Sequence, residues 1–203
     1  MKLLLREFDG IKGEISIGGI PIEDYSMDAL RKAFGYVPQD HFLFSTTIKE
    51  NIAFANPDAS FEDIKKAAEL ANIHEDILQF SEGYQTVVGE RGVSLSGGQK
   101  QRISIARAIL SDPEILLLDD SLSAVDARTE EKILSALKRE RQGKTTIISS
   151  HRISAIQHAD LILVLQDGEI VQMGNHEKLM REDGWYREMY YHQQLESLVT
   201  LGG

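Results

Sequence analysis

The chain has 203 residues, a formal net charge of −10 and no cysteine. Its length and its 42% content of hydrophobic residues are sufficient for a buried core. The acidic charge disfavours binding to nucleic acid, and the lack of cysteine excludes a disulfide framework and a thiolate metal site. The longest apolar runs, such as residues 161–165, are far shorter than the roughly 20 residues that cross a bilayer. We therefore expect a cytosolic globular protein.

The first part of the chain has a β-rich pattern. Within residues 14–37, apolar residues alternate on both sides of Gly18-Gly19, which predicts a β-hairpin. Residues 34–37 predict a further strand, which Pro38 ends.

Two helix starts follow, each with its own capping signal. Residues 48–80 have a helical pattern, in which Ser60 and Asp63 form a capping box. Ser96 and Gln99 form a second capping box at the start of another amphipathic helix. The first of these helical segments is an insert between two β regions.

The second half of the chain predicts a parallel sheet. Residues 115–118 are all apolar, as expected for a strand that is covered on both faces. Residues 146–148 repeat this character after a helix predicted at about 127–141, which gives a strand, helix, strand unit. Asp167-Gly168 predicts a second hairpin, and the C-terminal stretch is amphipathic and helical.

The tetrapeptide Ser96-Gly97-Gly98-Gln99 is a candidate anion site. It places a hydroxyl and several backbone N–H groups at a helix N-terminus, where the helix dipole favours an anion. The alternative is that Ser96 only caps the helix and the glycines only turn the chain.

Polar residues that follow three strands are further candidates. Asp119 and Asp120 come directly after the strand at 115–118, at the edge where open α/β sheets bind ligands. A carboxylate there suits Mg²⁺ carrying phosphates, and the second one suits a group that polarises water. His151 reaches the same edge if the strands are parallel, and Gln39 offers an amide oxygen to a metal or water. The alternatives are that the two aspartates only begin a loop, that His151 is an ordinary surface or core residue, and that Gln39 only belongs to a turn.

Five motifs in this order resemble the nucleotide-binding domain of an ABC transporter, over nearly the whole chain. They are Tyr36-Val37-Pro38-Gln39, Leu95-Ser96-Gly97-Gly98-Gln99, Ile115-Leu116-Leu117-Leu118-Asp119-Asp120, Ser123-Ala124-Val125-Asp126 and Ser149-Ser150-His151-Arg152. The resemblance implies an α/β fold with a P-loop NTPase-like ABC ATPase core, a mostly parallel sheet with flanking helices and a helical subdomain. It also implies an ATPase that uses ATP and Mg²⁺ as cofactors.

The resemblance assigns a role to each candidate residue. Gln39 corresponds to the Q-loop glutamine near the metal and the catalytic centre, Asp119 to the Walker B magnesium ligand, and Asp120 to the catalytic position. The signature, which grips the γ-phosphate of ATP held by a partner domain, corresponds to Ser96, Gly97, Gly98 and Gln99. Asp126 corresponds to the D-loop aspartate at the dimer interface, and His151 corresponds to the switch histidine.

The resemblance also implies a division of residues 1–203, read as a partial domain. Residues 14–37 are the β-rich part that leads to the Q-loop, and residues 45–95 are the helical subdomain. Residues 96–175 are the core with the signature helix, Walker B, D-loop and H-loop, and residues 176–203 are C-terminal helices.

The segment Val88-Gly89-Glu90-Arg91-Gly92 resembles the part of ABC exporters that contacts the membrane domain. This resemblance favours an exporter. The partners that it implies are a second nucleotide-binding domain and a transmembrane domain. The Gln39 loop and Glu90-Arg91 are the expected contacts with the transmembrane domain. The expected location is the cytoplasmic side of the cell membrane.

The chain departs from the family pattern in its phosphate loop. The sequence Gly-x-x-x-x-Gly-Lys-Ser/Thr occurs nowhere, since Lys138 stands where Gly143-Lys144-Thr145 would need the first glycine. We therefore expect an N-terminally truncated domain that lacks the first strands and the P-loop and is inactive or very weak alone. Lys144 is expected to be a solvated turn residue.

A second departure is Asp120, where the family usually has glutamate. The side chain is about one ångström shorter, which misplaces a general base and lowers the rate on the order of 10²-fold. This resembles the degenerate-site subunit of a heterodimeric exporter. Two alternatives remain at this point: a non-catalytic regulatory or interaction module with the same fold, and a soluble relative in translation or DNA maintenance, which the acidic charge disfavours.

Overall fold

The computed structural model describes residues 1–8, 12–89 and 92–201. In this part of the chain the α-helices are α1 (Met27–Ala33), α2 (Ile48–Ala53), α3 (Phe61–Leu70), α4 (His74–Leu78), α5 (Gly97–Leu110), α6 (Ala127–Glu140), α7 (Ile153–Ile156), α8 (His176–Arg181) and α9 (Trp185–Leu201). The strands are β1 (Ser16–Ile17), β2 (Ile20–Pro21), β3 (Phe34–Val37), β4 (Ile115–Asp119), β5 (Thr145–Ser149), β6 (Ile162–Gln166) and β7 (Glu169–Gly174). Short 3₁₀ helices lie at Ile22–Asp24 and Gly83–Gln85.

The chain divides into two compact units, Met1–Ser149 and Ser150–Gly203. The first unit contains a parallel sheet with the order β3-β4-β5. Val37 pairs with Leu118, and Asp119 pairs with Ser149. The predicted parallel strands and the helix between them, α6, are therefore confirmed.

Strand β4 is apolar at successive positions because it separates two hydrophobic clusters. Leu116 and Leu118 pack with the larger cluster, which includes residues of α2, α3 and α5. Leu117 points the other way and packs with Ile22 and Leu30. All three leucines are buried, and each contributes about 1.5–3 kcal/mol of transfer free energy. Burial on both faces thus accounts for the unbroken apolar run.

The predicted N-terminal hairpin is confirmed, but the β-rich expectation for residues 14–37 needs a correction. Strands β1 and β2 pair antiparallel around Gly18-Gly19, whereas α1 occupies Met27–Ala33. The hydroxyl of Ser26 caps α1 by accepting from the Ala29 N–H at 3.2 Å. A helix of two turns is too short to show a clear period in the sequence.

The predicted helical insert is confirmed as α2, α3 and α4, and it packs against α5. Ser60 and Asp63 form the predicted capping box of α3, and Thr47 and Glu50 form another at α2. The buried face of α3 presents Ile64, Ala67 and Ala68 to the larger cluster.

The second unit has its own small core. Strands β6 and β7 form the predicted hairpin, in which Asp167 and Gly168 adopt φ angles of +50° and +84°. The core contains Ile162 and Val164 from β6 together with residues of α7, α8 and α9. In the described part of the chain, no helix is both long and apolar enough to span a bilayer.

Candidate functional site

The carboxylate of Asp119 lies at the C-terminal edge of the parallel sheet. Tyr36 pairs with Leu117 in the β3–β4 ladder, so Asp119, two residues further on, lies on the same face as Tyr36. The Tyr36 hydroxyl donates to Oδ2 of Asp119 at 3.2 Å. Burial, together with the charge of Asp119, raises the pKa of Tyr36, so the hydroxyl remains a donor at neutral pH. Tyr36 thus orients a carboxylate that the sequence had singled out.

Asp120 leaves the strand with a left-handed backbone, at a φ of +46°. Its N–H donates to the Ser149 carbonyl at 2.8 Å, and its own carbonyl accepts from the Ser123 hydroxyl at 2.9 Å. Nε2 of Gln39 lies 3.5 Å from Oδ2 of Asp120. The structure therefore brings Gln39, Asp119 and Asp120 to one edge of the sheet.

Ser96, Gly97, Gly98 and Gln99 form the N-terminus of α5, where the predicted capping box is confirmed. The Ser96 hydroxyl accepts from the Gln99 N–H at 3.2 Å, and Oε1 of Gln99 accepts from the Ser96 N–H at 3.0 Å. Helix geometry leaves the N–H groups of Gly97 and Gly98 without an intrahelical acceptor. Ser96 and Gly97 are exposed, so this end of the helix is open to an anion.

The side chain of Gln99 is engaged within its own unit. Beyond its bond to Ser96, its Nε2 lies 3.4 Å from Oδ1 of Asp76 in α4. The surface open to an anion therefore consists of the Ser96 hydroxyl and the backbone at Gly97 and Gly98.

An ion pair that the sequence did not predict fixes the start of α5. Arg102 donates from Nη1 and Nη2 to the two carboxylate oxygens of Asp76, at 2.8 and 2.9 Å. Nε of Arg102 also donates to the Gly98 carbonyl at 3.2 Å. Partial burial opposes ionisation of Asp76, but the bonds and charge of Arg102 outweigh it and lower the pKa of this carboxyl.

Gly98 makes a close backbone approach to the loop that follows β4. A Cβ atom at this position would lie 2.9 Å from the Ala124 carbonyl oxygen, which is too close without a backbone shift. At Gly97 the nearest atom to such a Cβ would be the Ala124 methyl group at 3.6 Å, an ordinary contact. The second glycine is thus required by packing within the domain.

Two further candidates, Asp126 and His151, are described by their local contacts. Asp126 is exposed and caps α6, where Oδ1 accepts from the Thr129 N–H at 3.0 Å. The bonds from Thr129 lower the pKa of Asp126. His151 is exposed at the start of the second unit, where its carbonyl accepts from Nε2 of Gln193 at 2.8 Å. That His151 shares an edge with Asp119 stays a prediction.

Glu90 and Arg91 lie outside the described residues. The chain just before them is joined to the segment after Gln39, because the Val88 N–H donates to the Thr46 carbonyl at 3.0 Å. Ser45 also packs against Gly89, because a Cβ atom added to Gly89 would lie 2.5 Å from the Ser45 hydroxyl oxygen. The segment that leads to Glu90 thus packs directly against the segment that follows Gln39.

Lys144 lies at the predicted turn, but its side chain is paired with acidic groups and is not simply solvated. Its Nζ lies 2.8 Å from Oδ1 of Asp112 and 3.6 Å from Oε1 of Glu114. It also donates to the Asp112 carbonyl at 2.9 Å. The expectation of a solvated Lys144 is wrong, because the lysine joins the turn before β5 to the loop before β4.

The donors at the sheet edge fit Mg²⁺ carrying phosphates. Asp119 supplies a carboxylate and Gln39 an amide oxygen, and both are the hard oxygen ligands that Mg²⁺ prefers. In the described residues no three acidic or histidine side chains cluster as a ready metal site. Mg²⁺ usually takes one or two protein ligands and completes its shell with phosphates and water.

Known proteins resemble this chain in sequence and in fold. A family model described as "ABC transporter" matches residues 1–123. The chain is 52% identical over 195 residues to a probable multidrug resistance ABC transporter ATP-binding/permease protein, YheI, of Bacillus subtilis, covering 96% of this chain and 33% of that protein. It is 52% identical over 199 residues to the multidrug resistance-like ATP-binding protein MdlA of Escherichia coli, covering 98% of this chain and 34% of that protein.

A solved structure of a bacterial Atm1-family ABC exporter with ATP bound is similar in fold and sequence. The TM-score is 0.89 at 44% identity, and the match covers 95% of this chain and 34% of that one. The chain therefore spans about a third of the length of the relatives that it matches.

Proposed function

Because this chain is an ATP-binding domain of the ABC transporter family, we propose that it drives export by a membrane transporter through ATP-dependent pairing with a second nucleotide-binding domain. The observation that carries this proposal is the open N-terminus of α5. Ser96 and Gly97 are exposed. The hydrogen bonds of Asp76 with Gln99 and Arg102 hold the start of the helix in place. Such a surface suits a triphosphate that is held by another domain.

The sheet edge performs the chemistry of the domain's own site. Asp119 and Gln39 would hold Mg²⁺ there, and Tyr36 keeps the Asp119 carboxylate in one orientation. Bound ATP supplies the phosphoanhydride bond whose hydrolysis is coupled to transport. Asp126 and His151 take part at the dimer interface and at the γ-phosphate, as the family resemblance implies.

Asp120 makes the domain's own site the weaker one of the pair. Its carboxylate is one methylene shorter than a glutamate, and it lies within reach of the Gln39 amide at 3.5 Å. A retracted base aligns an attacking water poorly, which lowers the rate on the order of 10²-fold. We therefore assign this chain to the degenerate-site subunit of a heterodimer, which supplies an intact signature to a competent partner site.

The surface around the Gln39 loop suits a transmembrane domain as the second partner. Phe42 and Phe54 are exposed, and Phe44 stacks on Phe54 with ring centroids 4.3 Å apart. Arg107 holds this region in place by donating to the carbonyls of Phe42 and Asn51 at 3.1 and 2.7 Å. Exposed aromatic side chains on a fixed backbone are typical of contact sites. We propose that the domain lies on the cytoplasmic side of the membrane, with residues 45–95 as its helical subdomain.

A second candidate is a non-catalytic regulatory module with the same fold. Asp120 in the catalytic position favours it. The two candidates differ in whether ATP is consumed when the chain is assembled with its partner.

The test is Mg²⁺-dependent ATP hydrolysis by the full-length protein together with its partner subunit. We expect turnover in the assembly and none from these 203 residues alone. An assembly that binds ATP but never hydrolyses it would support the regulatory module instead. Turnover by the isolated chain would contradict the proposal that other groups must complete the site.

A further inference from the structure

A glutamine inside the first unit joins three segments that carry candidate residues. Gln101 lies on α5 and is fully buried. Its Oε1 accepts from the Ala124 N–H at 3.0 Å, and its Nε2 lies 2.8 Å from Nε2 of His41. Ala124 belongs to the loop that leads to Asp126, and His41 is two residues after Gln39.

The hydrogen-bonding groups allow one orientation of the Gln101 amide. The Ala124 N–H can only donate, so the amide oxygen must face it and the NH₂ group must face His41. His41 therefore accepts through an unprotonated Nε2 and carries its proton on Nδ1. A flipped amide would place donor against donor at Ala124.

The arrangement at His41 is not the one that stability alone would favour. Nδ1 of His41 is buried and has no hydrogen-bond partner among the described residues. An unpaired buried donor is unfavourable, and such groups often mark positions that function constrains. Burial also lowers the pKa of His41, in agreement with a neutral ring.

Ala124 is held from both sides by the same helix. Its N–H is bound by Gln101, and its carbonyl oxygen packs against Gly98 at the contact that excludes a Cβ atom. The position of this loop therefore follows the position of α5.

We infer that Gln101 is a positioning residue for the ATP-driven reaction, which keeps the loop that carries Asp126 in register with the segment that carries Gln39. This inference rests on the proposed function, in which those two segments act at the nucleotide sites. Gln101 itself lies inside the domain and acts through Ala124 and His41. A displacement of the Gln39 segment is thereby passed to the Asp126 loop.

The first test measures amide hydrogen exchange in the full-length protein with its partner subunit. Gln101→Met has a similar shape and removes both hydrogen bonds. We expect exchange at the Ala124 N–H to accelerate on the order of tenfold. The matched control is Gln79→Met, which replaces an exposed glutamine and leaves this exchange unchanged. Unchanged exchange in Gln101→Met would overturn the inference.

The second test separates positioning from simple destabilisation by ATP kinetics. In Gln101→Met we expect kcat to fall on the order of tenfold while KM for ATP changes by less than about twofold, because ATP contacts are retained. Gln101→Glu keeps both contacts, because one carboxylate oxygen accepts from the Ala124 N–H and the other accepts from His41 when that ring carries its proton on Nε2, so it should restore most of the turnover. A KM change with constant kcat, or no rescue by Gln101→Glu, would contradict the inference.

A third variant keeps the inference testable if Gln101→Met does not fold. His41→Phe removes the acceptor at a half-buried position and keeps the bond between Gln101 and Ala124. It should lower kcat with little effect on Ala124 exchange. If the wild-type assembly hydrolyses ATP and both His41→Phe and Gln101→Met have the wild-type kcat, the inference about Gln101 is overturned while the proposed function stands. An assembly whose wild type consumes no ATP contradicts the proposed function, while Ala124 exchange still tests the hydrogen bond.

Discussion

The hydroxyl of Tyr36 donates to Oδ2 of Asp119 across the pairing of β3 and β4, at 3.2 Å. Asp119 is thus oriented by a neighbouring strand rather than by its own loop. A carboxylate that is held in this way loses less rotational freedom when it binds a metal, and such supporting bonds raise metal affinity.

Tyr36→Phe keeps the ring and removes this bond. We expect the Mg²⁺ concentration for half-maximal ATP turnover to rise by up to about tenfold. Tyr25→Phe is the control, because it also removes a hydroxyl bond, to the Ile17 carbonyl at 3.0 Å, but far along the chain from Asp119. An equal rise in both variants would mean that general stability, not metal binding, is affected.

Asp120→Glu should increase turnover at the domain's own site on the order of 10²-fold, because the longer side chain reaches an attacking water. The backbone at this residue has a φ of +46°, which aspartate tolerates better than glutamate, so a small loss of thermal stability should accompany the gain. Single-site turnover in the assembled dimer measures the effect. Asp120→Asn is the control, and equal rates for Glu and Asn would count against the degenerate-site assignment.

Gly98→Ala and Gly97→Ala should differ in stability although the residues are adjacent. The added methyl group meets the Ala124 carbonyl at 2.9 Å in the first case and the Ala124 methyl group at 3.6 Å in the second. We expect a loss of about 1–3 kcal/mol of unfolding free energy for Gly98→Ala, and no loss for Gly97→Ala. Chemical denaturation tests this, and equal losses would contradict the close approach at Gly98.

The ion pair between Asp76 and Arg102 should make stability depend on pH in the acid range. Because the folded-state pKa of Asp76 lies below its ordinary value of about 3.9, the pair stabilises the fold above that pH. This contribution is lost as the pH falls through the folded-state pKa. The pair is partly exposed, so we expect it to contribute about 1 kcal/mol after screening.

Urea denaturation between neutral pH and about pH 3 checks this, with Asp76→Asn expected to show a shallower decline than wild type. Asp112→Asn removes a pair with Lys144 whose carboxylate is 83% exposed, and it should change the profile less. Identical profiles for wild type and Asp76→Asn would contradict a role for this pair.

Features that depend on neighbouring residues in the chain were predictable. The capping box of Ser96 and Gln99 and the apolar run of β4 follow from local spacing and composition, and both are confirmed. The bond between Tyr36 and Asp119 depends on the register of two strands, which the sequence does not encode locally. For this reason the supporting residues of the site became visible only in the structure.

Gln101 shows the same limit within a helix. Its neighbours follow a helical apolar pattern, and a polar residue inside that pattern gives no sign of its partners. Its bonds reach His41 and Ala124, which lie 60 and 23 positions away along the chain. Such contacts between distant segments cannot be derived from periodicity.

The most direct measurement concerns which ATP site the signature at α5 serves. Ser96→Ala removes the hydroxyl at the open helix start, and Ser60→Ala removes the same kind of cap at α3. Each substitution lowers stability by about 1 kcal/mol, so they are matched for the lost cap.

Hydrolysis is then measured separately at the two sites of the assembled dimer. The account predicts that Ser96→Ala lowers turnover at the site whose nucleotide is held by the partner, and that Ser60→Ala does not. Turnover that falls only at the site formed by Asp119 and Asp120 would contradict it.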